Sequence, residues 1–340
     1  MKSFLRAFAF LVGDSLLWVC VLAGYLWAFG ALWFLDYLPV WLRILLALLF
    51  LAAGLFLFVG YHWQVGVWNR SIMATGTLIV YLATWMVQPS NDRQWSVDQQ
   101  LLPEVTIDGD LVTIQNFRDF RYRSLNEPIP KYKTLHFSLQ DLNSVSFVVQ
   151  RFTKFNGLAH TFVSFGLDTS TGPEYFSISV EIRREHNEKY SPIRGIFRTY
   201  ELMYVVGSEQ DLVGVRTNVR DNDRVYLYRA NASPEQVQQL FVEFAGRIDK
   251  LHQQPEFYNT LLNNCTTNIV AHTWGLTAQP INLLSPRIIL PGYSAEVAYE
   301  HGIFGDSSVT YQQLKQQSRI DEKARAAGIT DSFSSDIRRK

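Results

Sequence analysis

Three stretches without a charged side chain fill most of the first 91 residues: Ser15 to Leu35, Ile44 to Tyr61 and Ser71 to Asn91. Each runs about 18 residues or more, enough to cross a hydrocarbon core of about 30 Å as a helix. The third is the least apolar, because Pro89, Ser90 and Asn91 cannot belong to its buried part. Eight of the nine tryptophans (Trp18, Trp27, Trp33, Trp41, Trp63, Trp68, Trp85 and Trp95) lie in the first 95 residues, and only Trp274 lies beyond them. Tryptophan collects at membrane–water interfaces, where its ring sits in apolar surroundings and its N–H stays wet. A cleaved signal peptide does not fit, since the first run is too long and two more follow. A core hairpin of a soluble protein is the alternative, set against the scarcity of charge. The expectation is a membrane anchor of three transmembrane helices over 1–91, a polar linker over 92–104 and a separate domain after it.

Lys2, Arg6 and Arg70 favour a cytoplasmic start for the first and third spans, while Arg43, offset by Asp36, argues weakly the other way. With three spans the remainder lies outside. For a bacterium this means a multi-pass inner-membrane protein with its C-terminal domain in the periplasm. The 31 basic and 31 acidic side chains cancel, so no bulk charge recommends a nucleic-acid partner. No glycine loop suits a nucleotide and no His/Cys/Asp/Glu group has metal-ligand spacing, so neither cofactor nor metal is expected. No pattern addresses the oligomeric state.

Cysteine usage is then informative. Cys20 falls inside the first apolar run, as a packing residue. Cys265 is left alone in a compartment where thiols usually form disulfides, so it is either buried and inert or a working nucleophile.

After the linker the pattern turns to strands: Val112 to Tyr122, Ser144 to Thr153, Thr161 to Leu167, Tyr175 to Arg183, Leu202 to Val206, Leu212 to Val219 and Val225 to Tyr228. In the fourth, Phe176, Ile178, Val180 and Ile182 face one side, and Ser177, Ser179, Glu181 and Arg183 the other. The turn chemistry of Thr171, Gly172 and Pro173 makes it an antiparallel partner of the third. Ser233, Pro234 and Gln236 announce a helix running to about Leu251, as N-cap, first helical residue and capping-box partner. A second helix begins at Cys265 behind Asn263 and Asn264 and continues to Leu276 past Gly275. After Pro280 the chain reads as loop, and 306–340 as a polar tail, partly helical with a disordered tip.

The thiol of Cys265 thus sits in the first turn of a helix, where the macrodipole favours thiolate and the backbone N–H groups can stabilise an oxyanion. That suits acyl transfer, given a base. Among seven histidines, His272 lies about 10 Å up the same helix and His62 at the membrane. His160 opens a strand whose neighbour carries Glu181. Arg183 either pairs with Glu181 or binds substrate.

Six segments, in order, resemble the Lnb N-terminal periplasmic domain family: Asn116 to Tyr122 (NFRDFRY), Ala159 to Gly166 (AHTFVSFG), Ile178 to Arg183 (ISVEIR), Tyr200 to Tyr204 (YELMY), Asp211 to Thr217 (DLVGVRT) and Tyr258 to Thr267 (YNTLLNNCTT). The resemblance spans most of 105–305. It implies an α+β protein: a papain-like fold of the NlpC type, circularly permuted so that the histidine strand precedes the cysteine helix, with an antiparallel sheet packed on helices. The name-giving members act as lipoprotein N-acyltransferases. The resemblance implies Cys265 as nucleophile and His160 as base; Glu181 joins them as orienting residue on strand adjacency. Asn263, Asn264, Arg183 and Tyr258 are candidates for substrate or oxyanion support. Membrane lipids, lipoproteins or other acylated substrates are the expected partners. This chain departs from a minimal member in its three apolar runs, which puts the carry-over of activity in question. A cell-wall peptide amidase or peptidase and a non-enzymatic membrane assembly factor remain as alternatives.

Overall fold

The computed structural model describes residues 2–61, 66–125, 127–186, 188–220, 223–273, 280–305 and 308–339. His62, Trp63, Trp274 and the expected end of the second helix at Leu276 lie outside them. The chain divides into two compact units, Met1–Pro89 with Ile193–Thr199, and Ser90–Pro192 with Tyr200–Lys340.

The first unit contains α1 (Lys2–Trp33), α2 (Val40–Tyr61) and α3 (Gly66–Trp85). Val12–Trp33 and Val40–Gly60 are long and apolar enough to cross a membrane, by length and composition; the third expected span is present as a helix without meeting that measure. The packing is inverted relative to a water-soluble bundle. Asn69 is buried and donates to the Leu57 carbonyl at 2.8 Å, and Arg70 pairs with Asp14. Leu16, Leu26, Leu49, Leu55, Phe56, Leu78 and Ile79 all face outward. Gly54 gives room to the Tyr25 ring and Gly30 to that of Phe197. The segment Ile193–Thr199 closes one end of this unit: Arg194 pairs with Asp36, Phe197 stacks on Phe34, and Arg198 donates to the Val87 carbonyl at 2.9 Å.

The second unit is built on β1 (Glu104–Asp108), β2 (Leu111–Arg118), β3 (Arg121–Ser124), β4 (Glu127–Ile129), β5 (Tyr132–Ser138), β6 (Leu142–Arg151), β7 (His160–Thr169), β8 (Gly172–Arg183), β9 (Glu201–Ser208) and β10 (Arg224–Arg229). The helices are α4 (Glu209–Leu212), α5 (Pro234–Gln253), α6 (Cys265–His272), α7 (Pro286–Ile289), α8 (Ser294–Glu300), α9 (Tyr311–Gln317), α10 (Asp321–Ala327) and α11 (Phe333–Asp336). The main sheet runs β1-β2-β9-β8-β7-β6-β10, with β5 on β2; β3 and β4 form a separate ribbon. It is mixed rather than wholly antiparallel as expected, because β2 meets β9 in parallel at Arg118 and Gly207.

Helices cover both faces of this sheet. On one, Val163, Phe165, Phe176, Ile178 and Val180 pack against Phe241 and Phe244 of α5 and Ile269 of α6. On the other, Val148, Phe162 and Val225 pack against Ile320, Ala324, Phe333 and Ile337. The chain end, expected as a polar tail, is therefore structural: four apolar residues spaced along short helices suffice to seal that face. Burial on both faces also explains the error at Leu212 to Val219, expected as a strand. Ser208 caps α4 instead, and Val215–Val219 continue as a π-helical turn. Val213, Val215 and Thr217, buried in succession at every second position, imitate the period of a strand. The expected strand Val112 to Tyr122 is bulged at Asn116, which has φ 54, and breaks into β2 and β3 at Asp119 and Phe120, where Phe120 N–H turns to the Asp211 carboxylate. Ser233, Pro234 and Gln236 start α5 as expected, with the reciprocal capping box formed.

Candidate active site

Residues 256–264 fix the approach to α6. The Glu256 carbonyl accepts from Leu202 N–H at 2.8 Å, and Tyr258 N–H donates to the Tyr200 carbonyl at 2.9 Å, which ties the segment to the edge of β9. Asn259 and Asn263 then exchange backbone bonds at 3.0 and 2.9 Å, and the Asn259 side chain accepts from the N–H groups of Leu261 and Leu262. This tight turn holds Leu262 64% exposed, directly before the helix.

Asn264 is the N-cap of α6. Its Oδ1 accepts from Thr267 N–H at 2.9 Å, the Thr267 hydroxyl accepts from Asn264 N–H in return, and its Nδ2 donates to the Thr260 carbonyl at 2.8 Å. Asn263 donates to the Phe257 carbonyl and accepts from Asn268. Both side chains expected as oxyanion support are thus committed to shaping the turn. Thr267 and Asn268 N–H groups are bonded to Asn264, which leaves those of Cys265 and Thr266, among the described residues, for an incoming oxyanion.

Cys265 is 4% exposed and packs with the α5 side of the core. Next to it, Thr266 Oγ1 meets Thr161 Oγ1 at 2.9 Å, so the residue after the thiol is linked to the residue after His160. His160 is the first residue of β7 and reaches both faces of the sheet. Its ring stacks near Phe162, and its Nε2 lies 2.8 Å from Ser179 Oγ and 3.1 Å from Glu181 Oε1, on the face opposite α5. Continuing the register that pairs Phe162 with Ser179 sets His160 across from Glu181. The Cys265 thiol, on the α6 side, interacts with the same ring and raises its pKa.

The electrostatics follow from this arrangement. Burial pulls the His160 imidazole down, but the Glu181 carboxylate and the Cys265 thiol outweigh it and hold it at about 9. Burial pushes the Cys265 thiol up, but His160 and the N–H and hydroxyl of Thr161 bring it down to about 7. Glu181, although buried, is held well below the usual carboxylate range by His160 and Arg216. Between about pH 7 and pH 9 the pair therefore favours thiolate with imidazolium, the reactive form.

Arg183 does not pair with Glu181. Its guanidinium donates to the carbonyls of Gln99 and Gln100 at 3.0 and 2.7 Å and lies over the Trp95 ring, pinning the segment that enters the domain. The cation on Glu181 is Arg216, whose Nη2 lies 2.7 Å from Oε1 while Nε donates to Gln150. Reading 212–219 as a strand hid Arg216. Tyr258 is buried near the thiol and hydrogen-bonds Tyr190; burial and the charge of Cys265 raise both phenols, Tyr190 to about 12. Tyr190 has no signal in the sequence, whereas Ser179 shares a visible strand face with Glu181. The other described histidines are elsewhere: His272 is a core residue bonded to Tyr204 at 2.9 Å, and burial lowers it to about 4. No group of three or more metal-ligating side chains occurs among the described residues.

A buried thiol at a helix N-terminus, with an imidazole and a carboxylate at the end of a two-faced sheet, defines a class of site able to form covalent acyl intermediates. Residues 129–299, half of the chain, match the model of the Lnb N-terminal periplasmic domain family, and the protein belongs to that family. The match includes His160, Ser179, Glu181, Arg216 and Cys265. With its apolar N-terminal helices, the protein is membrane-associated and carries a periplasmic domain. No curated protein and no solved structure matches the chain.

Proposed function

We propose that this protein is a membrane-anchored thiol acyltransferase or acyl hydrolase, working at the periplasmic face of the inner membrane on lipids, lipoproteins or other acylated substrates through Cys265 and His160. The reading is supported by the Cys265 thiol at the N-terminus of α6, its pKa brought down by the Glu181-bound imidazole of His160. Thiolate attack on an ester carbonyl carbon forms the C–S bond. As the C–O bond breaks, the imidazolium gives its proton to the leaving oxygen. An acceptor amine or water then loses a proton to the imidazole, attacks the thioester and releases the thiolate. Leu261 and Leu262, exposed on the turn before α6, favour an apolar substrate over a soluble cell-wall peptide.

A papain-like fold of the NlpC type, with the histidine strand before the cysteine helix, is part of this reading. So is a three-span anchor. Along α1 and α3, Asp14 pairs with Arg70 at one end, while Gly30 and Trp85 meet Phe197 and Arg198 at the other. The two helices run in the same direction over matching lengths, with leucines and isoleucines of α3 outward, which supports a third crossing. Three crossings from a positively charged start reach the periplasm.

The test is an acyl thioester on Cys265 in membranes of expressing cells. Hydroxylamine should release it and Cys265→Ser should lack it. A protein without acyl adduct that turns over soluble muropeptides points to the peptidase, and a Cys265→Ala variant that fully replaces the wild type in cells points to an assembly factor.

A further inference from the structure

Three donors converge on a single oxygen of Glu181. Arg216 Nη2 lies 2.7 Å from Oε1, Ser179 Oγ 2.7 Å and His160 Nε2 3.1 Å. Ser179 Oγ is also 2.8 Å from His160 Nε2, closer to the imidazole than the carboxylate is. Ser179 is fully buried, so water does not share these contacts.

A serine hydroxyl has one proton to give. The carboxylate, held ionised by Arg216, only accepts, so the Ser179 proton must point at Glu181. Its oxygen then accepts from His160, which requires the ring proton on Nε2. The opposite tautomer, with Nδ1 protonated, would need Ser179 to donate to Nε2. That would leave its lone pairs facing Glu181 at 2.7 Å. In the neutral imidazole the Nε2 proton is therefore directed at Ser179 and Glu181, and Nδ1 is the nitrogen left unprotonated.

We propose that Ser179 is a positioning residue of this site, the hydroxyl through which Glu181 fixes the tautomer and orientation of His160, with Arg216 holding Glu181 as the accepting end. The proposal deepens the thiol–imidazole reading of the site and needs no knowledge of the substrate. No bond is made or broken at Ser179. Its effect is to keep the imidazole ready to take the thiol proton and to stabilise the imidazolium once formed. The ionisable groups around the pair are His160 on β7, Glu181 on β8, Tyr190 before β9, Tyr258 before α6 and Arg216 after α4. The two tyrosines stay neutral through the range in which the pair titrates, so the profile reports His160 and Cys265.

The test is the rate at which iodoacetamide alkylates Cys265 as a function of pH, in the full-length protein in detergent. A Cys20→Ser background removes the other thiol. Ser179→Ala should move the inflection upward by about one pH unit, which lowers the rate near pH 7 about fivefold. The rate at high pH, where any thiol is ionised, should be unchanged and reports that the site is folded. Ser179→Thr, which keeps a hydroxyl, should restore the wild-type inflection. An unshifted Ser179→Ala profile, or a Ser179→Thr protein that behaves like the alanine variant, overturns the proposal. An inflection already at that of an ordinary thiol in the unsubstituted protein would instead overturn the nucleophile reading.

Discussion

Glu181→Gln separates the charge of the carboxylate from its shape. At 3.1 Å from His160 Nε2, the carboxylate attracts an imidazolium by about 5 kcal/mol at an effective dielectric constant of about 20. Burial returns part of that. The rise of His160 from 6.5 to about 9 corresponds to a net of about 3 kcal/mol. Both side chains are less than a third exposed, so solvent screening removes little of it. With the charge gone, burial pulls His160 back down, and Cys265, with less imidazolium beside it, rises from about 7 toward its ordinary 9.0. Near pH 7.5 the thiolate fraction should fall about twentyfold. Ultraviolet thiolate absorbance across a pH series, with Cys265→Ser as blank, measures this directly. The stability of the wild type carries the same signature. A histidine raised to about 9 stabilises fully below 6.5 and loses that contribution as pH rises through 9, and Glu181→Gln should flatten this limb. A Glu181→Gln protein whose thiol titrates where the wild type does would refute the linkage of carboxylate, imidazole and thiol.

Asn264→Ala removes a helix cap and leaves the Thr260 carbonyl without its donor, a loss of about 2 kcal/mol. The full-length protein in detergent should melt lower, and Asn264→Asp, which keeps the cap, should lose less. Phe241→Ala opens a cavity between α5 and the rings of Phe137, Phe165 and Phe176, and should cost about 3–5 kcal/mol in denaturant unfolding. Arg183→Leu frees Asn91, Gln99 and Gln100, so limited proteolysis within 91–100 should accelerate. The pH profile of Cys265 alkylation should be unchanged, whereas a substrate-binding role for Arg183 predicts normal proteolysis and lost turnover.

Where one physical signal dominated, the sequence was readable. The charge-free runs announced their helices, Ser233 and Gln236 announced α5, and Asn264 announced α6. The alternation in β8 put Ser179 and Glu181 on one face, which the register carries to His160. What escaped depended on contacts between distant segments. The valines from 213 to 219 looked like a strand because nothing local reveals that Arg216 must reach Glu181. The contacts of Arg183 were hidden for the same reason: they run to the carbonyls of Gln99 and Gln100 and to the Asn91 side chain, distant in sequence. Tyr190 reaches the thiol by the path of a long connection with no periodicity of its own. The last helices escaped because Ile320, Ala324, Phe333 and Ile337 are too sparse to read as a core without the sheet they cover.

The burial of Cys265 has a chemical cost and a benefit outside catalysis. A thiolate present near neutral pH is an easy target for oxidants and for disulfide exchange, and the periplasm supplies both. Exchange needs a partner sulfur in line with the attacking one, which a side chain 4% exposed behind a braced turn does not offer to a protein-sized oxidant. The chain's other thiol, Cys20, lies in α1 among its membrane-facing helices. The same wall that raises the energy of the thiolate therefore shelters it from a protein-sized oxidant.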